Sequence, residues 1–240
     1  MKLTDLKALT FDCYGTLIDW ETGIWNALQP LMSEGRLKVG REEALDAFGR
    51  HEKEQEEETP SLRYSALLAV VHARLAKQWG ARIFADLNER FGASVAEWPA
   101  FPDTAEALAY LKRHFKLVIL SNVDRASFAA SNKKLGVNFD AIYTAEDIGS
   151  YKPDPRNFAY LVEHIEADLG IRRSEILHTA QSLRHDHVPA EKARLARAWI
   201  DRRFGQKGAG ATIQPAKLPK LDFHFKSLAE FAEAHRNEAG

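Results

Sequence analysis

The chain has 240 residues, of which 45% are hydrophobic and 28% are charged, a composition typical of a folded globular protein. Its 33 Lys and Arg residues nearly balance 34 Asp and Glu residues, so it has no basic field with which to hold nucleic acid. Apolar runs stay well below the ~20 residues that cross a bilayer, the first residues lack the apolar stretch of a signal peptide, and the single Cys13 cannot form an internal disulfide. We therefore expect a cytoplasmic protein that binds neither nucleic acid nor membrane and has one core domain with a large insertion.

The first predicted strand ends on an acidic residue. Residues 7–12 form a short apolar run that closes with Asp12, and Gly15 permits a tight turn directly after it. From about Thr22 to Glu97 the apolar residues recur at helical spacing, and no strand pattern interrupts them. Within this region the acidic run from Glu52 to Glu58 is interpreted as a solvated helix face, in preference to a patch that binds a partner.

After a break at residues 98–103, helical and strand patterns alternate to the end of the chain. Helices are predicted at residues 104–114, 126–135, 157–169 and 189–195, and strands at residues 116–120, 141–144, 175–179 and 197–200. Residues 205–220 are rich in Gly, Pro and Lys and are predicted to be a surface loop without an assigned function, followed by a last strand and helix at residues 223–234. The alternation predicts a doubly wound α/β fold with a parallel sheet.

Four clusters of polar residues directly follow predicted strands. Ligands of open parallel sheets bind beyond the carboxyl ends of the strands, so we expect these clusters to form one site. In chain order they are Asp12 to Thr16, Ser121 with Asn122, Lys152 with Pro153, and Gln181 to Asp186.

In order and spacing the four clusters resemble the motifs of the haloacid dehalogenase-like hydrolase superfamily, and among its members most closely the type II (S)-2-haloacid dehalogenases. The resemblance covers nearly the whole chain. It implies a Rossmann-like α/β core domain, residues 1–16 and 99–240, and an inserted helical cap domain, residues 17–98. Dimers are common in the resembling family, which leaves a homodimer open, although no residue pattern here indicates an interface.

The resemblance assigns a role to each motif. Asp12 would be the nucleophile, steadied by the Lys152 ammonium and the Thr16 hydroxyl, while Asp186 would orient Lys152 or the hydrolytic water. The residues expected to contact the substrate are Tyr14, Ser121, Asn122, Gln181 and Ser182, with Ser121 and Asn122 binding its carboxylate. Helix capping is the alternative interpretation for Asp12, Ser121, Asn122 and Asp186, and an ordinary surface position is the alternative for Lys152.

Two residues separate the dehalogenases from the phosphatases of the superfamily. Phosphatases carry a second acid two residues after the nucleophile to protonate the leaving alkoxide, whereas this chain has Tyr14 there, and halide leaves without a proton. Phosphatases also hold Mg²⁺ with an acid at the position of Gln181, and a neutral amide is a poor ligand for that ion. We therefore predict hydrolysis of short 2-haloacids without a cofactor. A Mg²⁺-dependent phosphatase and a non-catalytic protein that binds a small anion or a partner are the alternatives.

Departure of the halide needs a cationic or apolar cradle, which the dehalogenases supply with a cap arginine. Arg50 is the candidate here, with Arg41 or Arg63 as substitutes, and the aromatic rings expected to wall the pocket are those of Trp20, Phe48 and Tyr64.

The fourth motif departs from the dehalogenase pattern at Leu183, where those enzymes have an Asn that helps to hold the hydrolytic water. Gln181, Ser182 or His185 could take over that task. The histidines at positions 178, 185 and 187 also raise the possibility of a metal site, which we do not favour because neighbours in a strand point to opposite faces and no Cys or Glu completes a ligand set.

Overall fold

The core of the protein is a six-stranded sheet in which every neighbouring pair of strands is parallel. The structure is a computed structural model and describes residues 1–82 and 84–240. The strand order is β3-β2-β1-β4-β5-β6. The strands are β1 Ala8–Phe11, β2 Lys116–Ser121, β3 Ala141–Thr144, β4 Ile176–Ala180, β5 Ala196–Ile200 and β6 Phe223–Phe225.

Within the described residues five α-helices lie between β1 and β2, the first four of them in the insertion, and the others follow β2, β3, β4 and β6. The inserted helices are α1 Trp20–Glu34, α2 Arg41–Glu58, α3 Tyr64–Gln78 and α4 Ala85–Ala93. The others are α5 Thr104–Leu111, α6 Arg125–Leu135, α7 Ala145–Ile148, α8 Pro155–Leu169, α9 Val188–Lys192 and α10 Leu228–Ala239. In the part of the chain that the structure describes, no helix has the length and apolar character that crossing a bilayer requires. The predicted α/β fold with a helical insertion is confirmed.

The central strand β1 is buried along its whole length because both faces of the sheet are covered. Leu9 and Phe11 pack into an apolar core that continues into the inserted helices. Ala8 belongs to a second core on the other face, together with Val118 and Leu120 of β2. Asp12, the residue that follows β1, is therefore held in place by a rigid strand at the centre of the sheet.

The insertion packs closely on the chain that returns to the core. An ideal Cβ at Gly23 of α1 would lie 2.2 Å from Cγ of Trp98, so only glycine allows the helix to approach the indole ring. Ile18, just before α1, forms isolated β-bridges with both Tyr14 and Ala100. These bridges join the segment where the chain leaves the core to the segment where it returns. The division into residues 1–16 and 99–240 as core and 17–98 as cap stays a prediction.

The helices that depart from the sequence-based expectation are short or end early. Residues 183–192 contain a π-helical turn, Leu183–His187, followed by α9, instead of the single helix predicted at residues 189–195. The Ser182 hydroxyl accepts a hydrogen bond from the His185 N–H and so starts this wide turn early. The short helix α7 was not predicted; it is stabilised by a capping box between Thr144 and Asp147.

Candidate active site

Asp12 lies at the carboxyl end of β1 with only 6% of its surface exposed, and both of its carboxylate oxygens are hydrogen-bonded. Oδ1 accepts from Nζ of Lys152 at 2.9 Å, and Oδ2 accepts from Oγ1 of Thr16 at 2.7 Å. Gly15 adopts a φ of 90°, a conformation that side chains disfavour, and this turn brings Thr16 back over the carboxylate. The first motif thus holds a buried carboxylate in one fixed orientation.

Lys152 is almost completely buried, and its ammonium group connects three elements of the core. Its Nζ donates to Asp12 Oδ1, to Asp186 Oδ1 at 2.7 Å and to the carbonyl oxygen of Leu120 at 2.9 Å. An ammonium has three donors, so these contacts use all of them. The first, third and fourth motifs therefore meet in one ion-paired network, as the strand-end argument predicted.

The network separates the two aspartates electrostatically. Burial raises the pKa of Asp12 above its ordinary value, and the charge of Lys152 only partly offsets this. For Asp186 burial acts in the same direction, but the Lys152 charge and a hydrogen bond from His178 prevail and hold its pKa well below the usual range. Burial disfavours the charged form of Lys152 too, but the two carboxylates outweigh it and raise its pKa. At neutral pH Lys152 and Asp186 are therefore firmly charged.

His178 is a member of this network that the sequence analysis did not place there. Its Nε2 lies 2.9 Å from Asp186 Oδ1 and its Nδ1 lies 2.8 Å from the hydroxyl of Thr10. Because a carboxylate only accepts, a neutral ring donates from Nε2 and accepts the Thr10 proton at Nδ1. The signal available for this placement was the strand register, because His178 on β4 lies beside Thr10 on β1.

The other two histidines have different surroundings. Burial lowers the pKa of His185 to about 3, with the neighbouring charge of Arg184 acting in the same direction, so its ring is neutral. His187 donates from Nε2 to the carbonyl oxygen of Ala180 at 2.9 Å. Among residues 1–82 and 84–240 no group of three or more His, Cys, Asp and Glu side chains is arranged to hold a metal ion.

The loop at residues 205–220 contributes to the site, although its sequence indicated only a surface loop. Thr212, which is buried, donates to Oε1 of Gln181 at 3.2 Å. The backbone N–H of Gln181 in turn donates to Oγ1 of Thr16 at 2.9 Å. The loop therefore fixes the amide that stands at the first position of the fourth motif, and through it the hydroxyl that contacts Asp12.

The predicted substrate contacts have distinct environments. Oγ of Ser121 is buried and has no hydrogen-bond partner within the described residues. The side chain of Asn122 donates to Glu56 at 3.1 Å and to the Lys152 carbonyl at 3.0 Å, and it accepts from the Lys152 N–H at 2.7 Å. The hydroxyl of Tyr14 lies 3.0 Å from that of Ser131. Of these three residues, Ser121 is the one whose side chain has no hydrogen bond within the described residues.

A small cavity of about 40 Å³ opens over the carboxylate of Asp12. A cavity of this size accommodates a few water molecules or a ligand of a few heavy atoms. The residues that line it are Asp12, Tyr14, Trp20, Glu52, Glu56, Tyr64, Asn122, Lys152, Gln181, Ser182, His185, Asp186 and Thr212. Trp20 and Tyr64 wall the cavity as expected, whereas Phe48 lies behind Trp20 and contacts its ring edge to face.

The structure places the candidate arginines away from this cavity, which corrects the expectation for Arg50. Its side chain is 56% exposed and pairs with Asp46 at 3.2 Å on the outer face of α2. Arg63 is 72% exposed and pairs with Glu146, and Arg41 lines a different cavity. The face of α2 that meets Asp12 carries other residues of the acidic run.

Glu52 and Glu56 are the residues of α2 that face the cavity, and they are 5% and 7% exposed. Oε1 of Glu52 accepts from the Tyr64 hydroxyl at 2.6 Å, and Oε1 of Glu56 accepts from Asn122. The interpretation of this acidic run as a solvated face is therefore wrong for these two residues. Successive residues on a helix differ by ~100°, so positions 52 and 56 share a face that position 50 does not.

Comparisons with known proteins agree with this architecture. The family model described as haloacid dehalogenase-like hydrolase matches residues 6–179. An (S)-2-haloacid dehalogenase of Xanthobacter autotrophicus is 30% identical over 193 residues, which are 74% of this chain and 68% of that protein. (S)-2-haloacid dehalogenase 4A of Burkholderia cepacia is 29% identical over 188 residues, 71% of this chain and 73% of that protein.

A solved structure shows the same fold over almost the full length. It is the L-2-haloacid dehalogenase of Xanthobacter autotrophicus with chloropropionic acid covalently bound, and its TM-score is 0.74 at 20% identity. The match covers 96% of this chain and 98% of that one. With the match of the family model and the shared fold, the network around Asp12 identifies this chain as a member of the haloacid dehalogenase-like hydrolase family.

Proposed function

We propose that the protein is a metal-independent 2-haloacid dehalogenase in which Asp12 displaces halide from short 2-haloacids. The observation that carries the proposal is the Asp12 carboxylate, fixed by Lys152 and Thr16 at the floor of a small cavity. Buried, charge-paired and oriented, this group has the properties of a carboxylate nucleophile. The related enzymes named (S)-2-haloacid dehalogenases support the choice of substrate class.

In the proposed reaction an oxygen of Asp12 attacks the carbon that carries the halogen. The C–O bond forms as the carbon–halogen bond breaks, and the halide leaves with the bonding electrons. Water then attacks the carbonyl carbon of the aspartyl ester, which releases the 2-hydroxyacid and returns Asp12 as a carboxylate. One proton is released in the complete reaction. The covalent chloropropionate adduct in the Xanthobacter structure supports an ester intermediate of this kind.

The surrounding residues support both halves of this reaction. The Lys152 ammonium favours the charged form of Asp12 against the effect of burial, and Asp186 with His178 keeps Lys152 in place. For the second half-reaction Leu183 offers no polar group to the water, and the neutral ring of His185 on the cavity wall is our candidate to orient it. Nε2 of His185 accepts from Arg184 at 2.7 Å, so the ring carries its proton on Nδ1 and acts on the water as a donor. Oε1 of Gln181 and the hydroxyl of Ser182 already accept from Thr212 and from the His185 N–H.

The alternative of a Mg²⁺-dependent phosphatase finds a poorer donor set. Magnesium takes an octahedral set of oxygen ligands, usually one or two carboxylates together with waters and substrate phosphate oxygens. Here the position of the first acid in the fourth motif holds the neutral Gln181, whose oxygen is bound by Thr212, and both oxygens of Asp12 are already hydrogen-bonded. Tyr14 also offers no acid for a leaving alkoxide, because burial raises the pKa of its hydroxyl well above the ordinary value.

The test is release of halide from 2-chloropropionate and bromoacetate in the presence of a chelator. The wild-type protein is expected to release halide, and Asp12→Asn is expected to release none. Mass spectrometry in ¹⁸O water after a single turnover should find the label in the peptide that contains Asp12. Phosphate release that a chelator abolishes would favour the phosphatase, and the absence of both activities and of any ester on Asp12 would favour a non-catalytic binding protein.

A further inference from the structure

The cap side of the cavity is acidic, although the proposed substrate is an anion. Helix α2 directs the buried carboxyl groups of Glu52 and Glu56, one helical turn apart, into the cavity that Asp12 faces. Of the residues that line the cavity, Lys152 alone carries a positive charge at neutral pH, and its three donors are already used within the network. An ionised pair of glutamates would repel a haloacid.

Burial favours the acid form of both carboxyl groups. It raises the pKa of Glu52 to about 7, against a hydrogen bond from Tyr64 that acts in the opposite direction. It also raises the pKa of Glu56 well above the ordinary value, and the nearby carboxyl of Glu52 adds to the effect. Each carboxyl group thus has a proton to donate over at least part of the neutral range.

The groups that face Glu56 come from every element packed around it. Lys152 and Arg184 favour its charged form, and Glu52 and the phenols of Tyr64 and Tyr151 also lie near it. Glu56 lines a second cavity with Lys53, which pairs with Glu57, and with Arg156, which pairs with Asp154. Arg184 is also shared with Glu57 and with the ring of His185. Across the cavity stand the carboxylates of the catalytic network. The surroundings of Glu56 therefore contain no cation that is free of another acidic or polar partner among the described residues.

The hydrogen bond from Asn122 sets the orientation of the Glu56 carboxyl. Asn122 donates to Oε1 of Glu56, which therefore acts as the carbonyl oxygen of the acid, and the proton belongs on Oε2. Both amide hydrogens of Asn122 are used, one by Glu56 and one by the Lys152 carbonyl. Asn122 therefore has no donor left for a ligand, and Oε2 of Glu56 is the position beside it from which a proton can be donated into the cavity.

We propose that Glu56, as a carboxylic acid, donates a hydrogen bond from the cap side of the cavity to the carboxylate of the 2-haloacid. This inference rests on the proposed function. The carboxyl group of Glu52 does not bind the anion in this proposal, because its hydrogen bond from the Tyr64 hydroxyl holds it in place. A donor without charge holds the anion only while it keeps its proton, so Glu56 also limits the pH range of substrate binding.

Binding of propionate, a carboxylate that carries no halogen, tests this role apart from catalysis. Isothermal titration is carried out from about pH 6 to about pH 9 on the wild type, Glu56→Gln and Glu56→Leu, with the exposed Glu54→Gln as the matched control. We expect wild-type affinity to fall by about tenfold per pH unit once Glu56 loses its proton. Glu56→Gln keeps a donor that does not titrate, so its affinity should fall less steeply, with only the ionisation of Glu52 acting on it. Glu56→Leu should bind weakly at every pH, and Glu54→Gln should follow the wild type.

Three results would overturn the inference: wild-type affinity that does not fall with pH, a Glu56→Gln profile identical to that of the wild type, or undiminished binding by Glu56→Leu. Tighter binding of ethylammonium than of propionate, strengthening as pH rises, would also overturn it, because it would show an ionised pair that recognises cations. Circular dichroism confirms that each variant is folded.

Halide release separates failure of the inference from failure of the proposed function. If propionate binds with the expected dependence on Glu56 but no halide is released, the reaction is refuted and the role of Glu56 stands. If Asp12-dependent halide release persists in Glu56→Leu with an unchanged KM and an unchanged pH profile, the reaction stands and the inference fails. When both are correct, Glu56→Leu raises KM more than it lowers kcat.

Discussion

Replacing Lys152 with methionine should destabilise the protein by an amount that depends on pH. The substitution keeps the bulk of the side chain but removes an ammonium that pairs with Asp12 and Asp186. Breaking a buried ion pair by removing one partner costs about 3–5 kcal/mol. The variant can limit the cost by protonating one carboxyl group, which for an ordinary pKa of about 3.9 requires about 4 kcal/mol at about pH 7. We therefore expect the free energy of unfolding to fall by about 3–4 kcal/mol at neutral pH.

The sign of the pH dependence follows from proton linkage. In the variant the carboxyl group that takes up the proton has a raised pKa in the folded state, so its contribution to stability is lost as pH rises. In the wild type the lowered pKa of Asp186 contributes stability that is lost as pH falls. The contribution of Asp186 changes mainly below about pH 5, so above that pH the difference between the two proteins grows because of the carboxyl group in the variant. The cost of protonating one carboxyl group, which limits the loss of stability in the variant, drops to about 1.5 kcal/mol at about pH 5.

Urea denaturation at the two pH values, followed by tryptophan fluorescence, measures this difference. Lys116→Met is the matched control, because Lys116 is 56% exposed and pairs with Asp140 at the surface. The free energy of unfolding of this control should fall by less than about 1 kcal/mol at either pH. A Lys152→Met loss as small as that of the control, or a loss that is equal at both pH values, would refute the reasoning.

Three further substitutions follow from the contacts. Thr16→Val removes the donor to Asp12 and the acceptor for Gln181, so unfolding should become easier by about 1–3 kcal/mol and kcat should drop, while Thr16→Ser should restore both. His178→Leu removes a donor that lowers the pKa of Asp186, so the midpoint of acid unfolding, followed by circular dichroism, should move to higher pH; an unchanged midpoint contradicts this. Gly23→Ala forces a methyl group against Trp98 and should cost about 1–3 kcal/mol in urea denaturation, whereas Gly40→Ala, with no atom within 4 Å, should stay within about 0.5 kcal/mol.

The parts of the site that the sequence predicts are those that the backbone fixes locally. Asp12, Lys152 and Asp186 each follow a strand or its connecting loop, and parallel strands end at the same edge of the sheet. Their meeting therefore required only the correct strand assignments. Contacts such as that of Thr16 with Asp12, four residues apart, are almost as local.

The face of α2 could not be predicted in the same way. Its acidic stretch has few apolar residues, so periodicity gives no phase for the helix, and an error of two residues rotates it by ~200°. That rotation separates the exposed Arg50 from the buried Glu52. The buried carboxyls are compensated by Tyr64 and Asn122, which belong to other elements and give no signal in the local sequence.

The position of loop 205–220 was also beyond prediction from the sequence. Its Gly and Pro content indicates irregular backbone but carries no information about where that backbone packs. Gly49 of α2 lies against this loop so closely that an ideal Cβ would come within 2.2 Å of the Ala211 carbonyl oxygen. The neighbouring N–H of Ala211 donates to Glu21 of α1 at 3.0 Å.

This close approach couples two segments that are far apart in the chain. A side chain at position 49 would displace the backbone at Ala211, and Thr212 would move away from Gln181. Related proteins with a larger residue at position 49 should therefore carry a compensating change in the length or path of the loop. Variation at these two places should be correlated, and exchange of the loop between relatives should succeed only when α2 is exchanged with it.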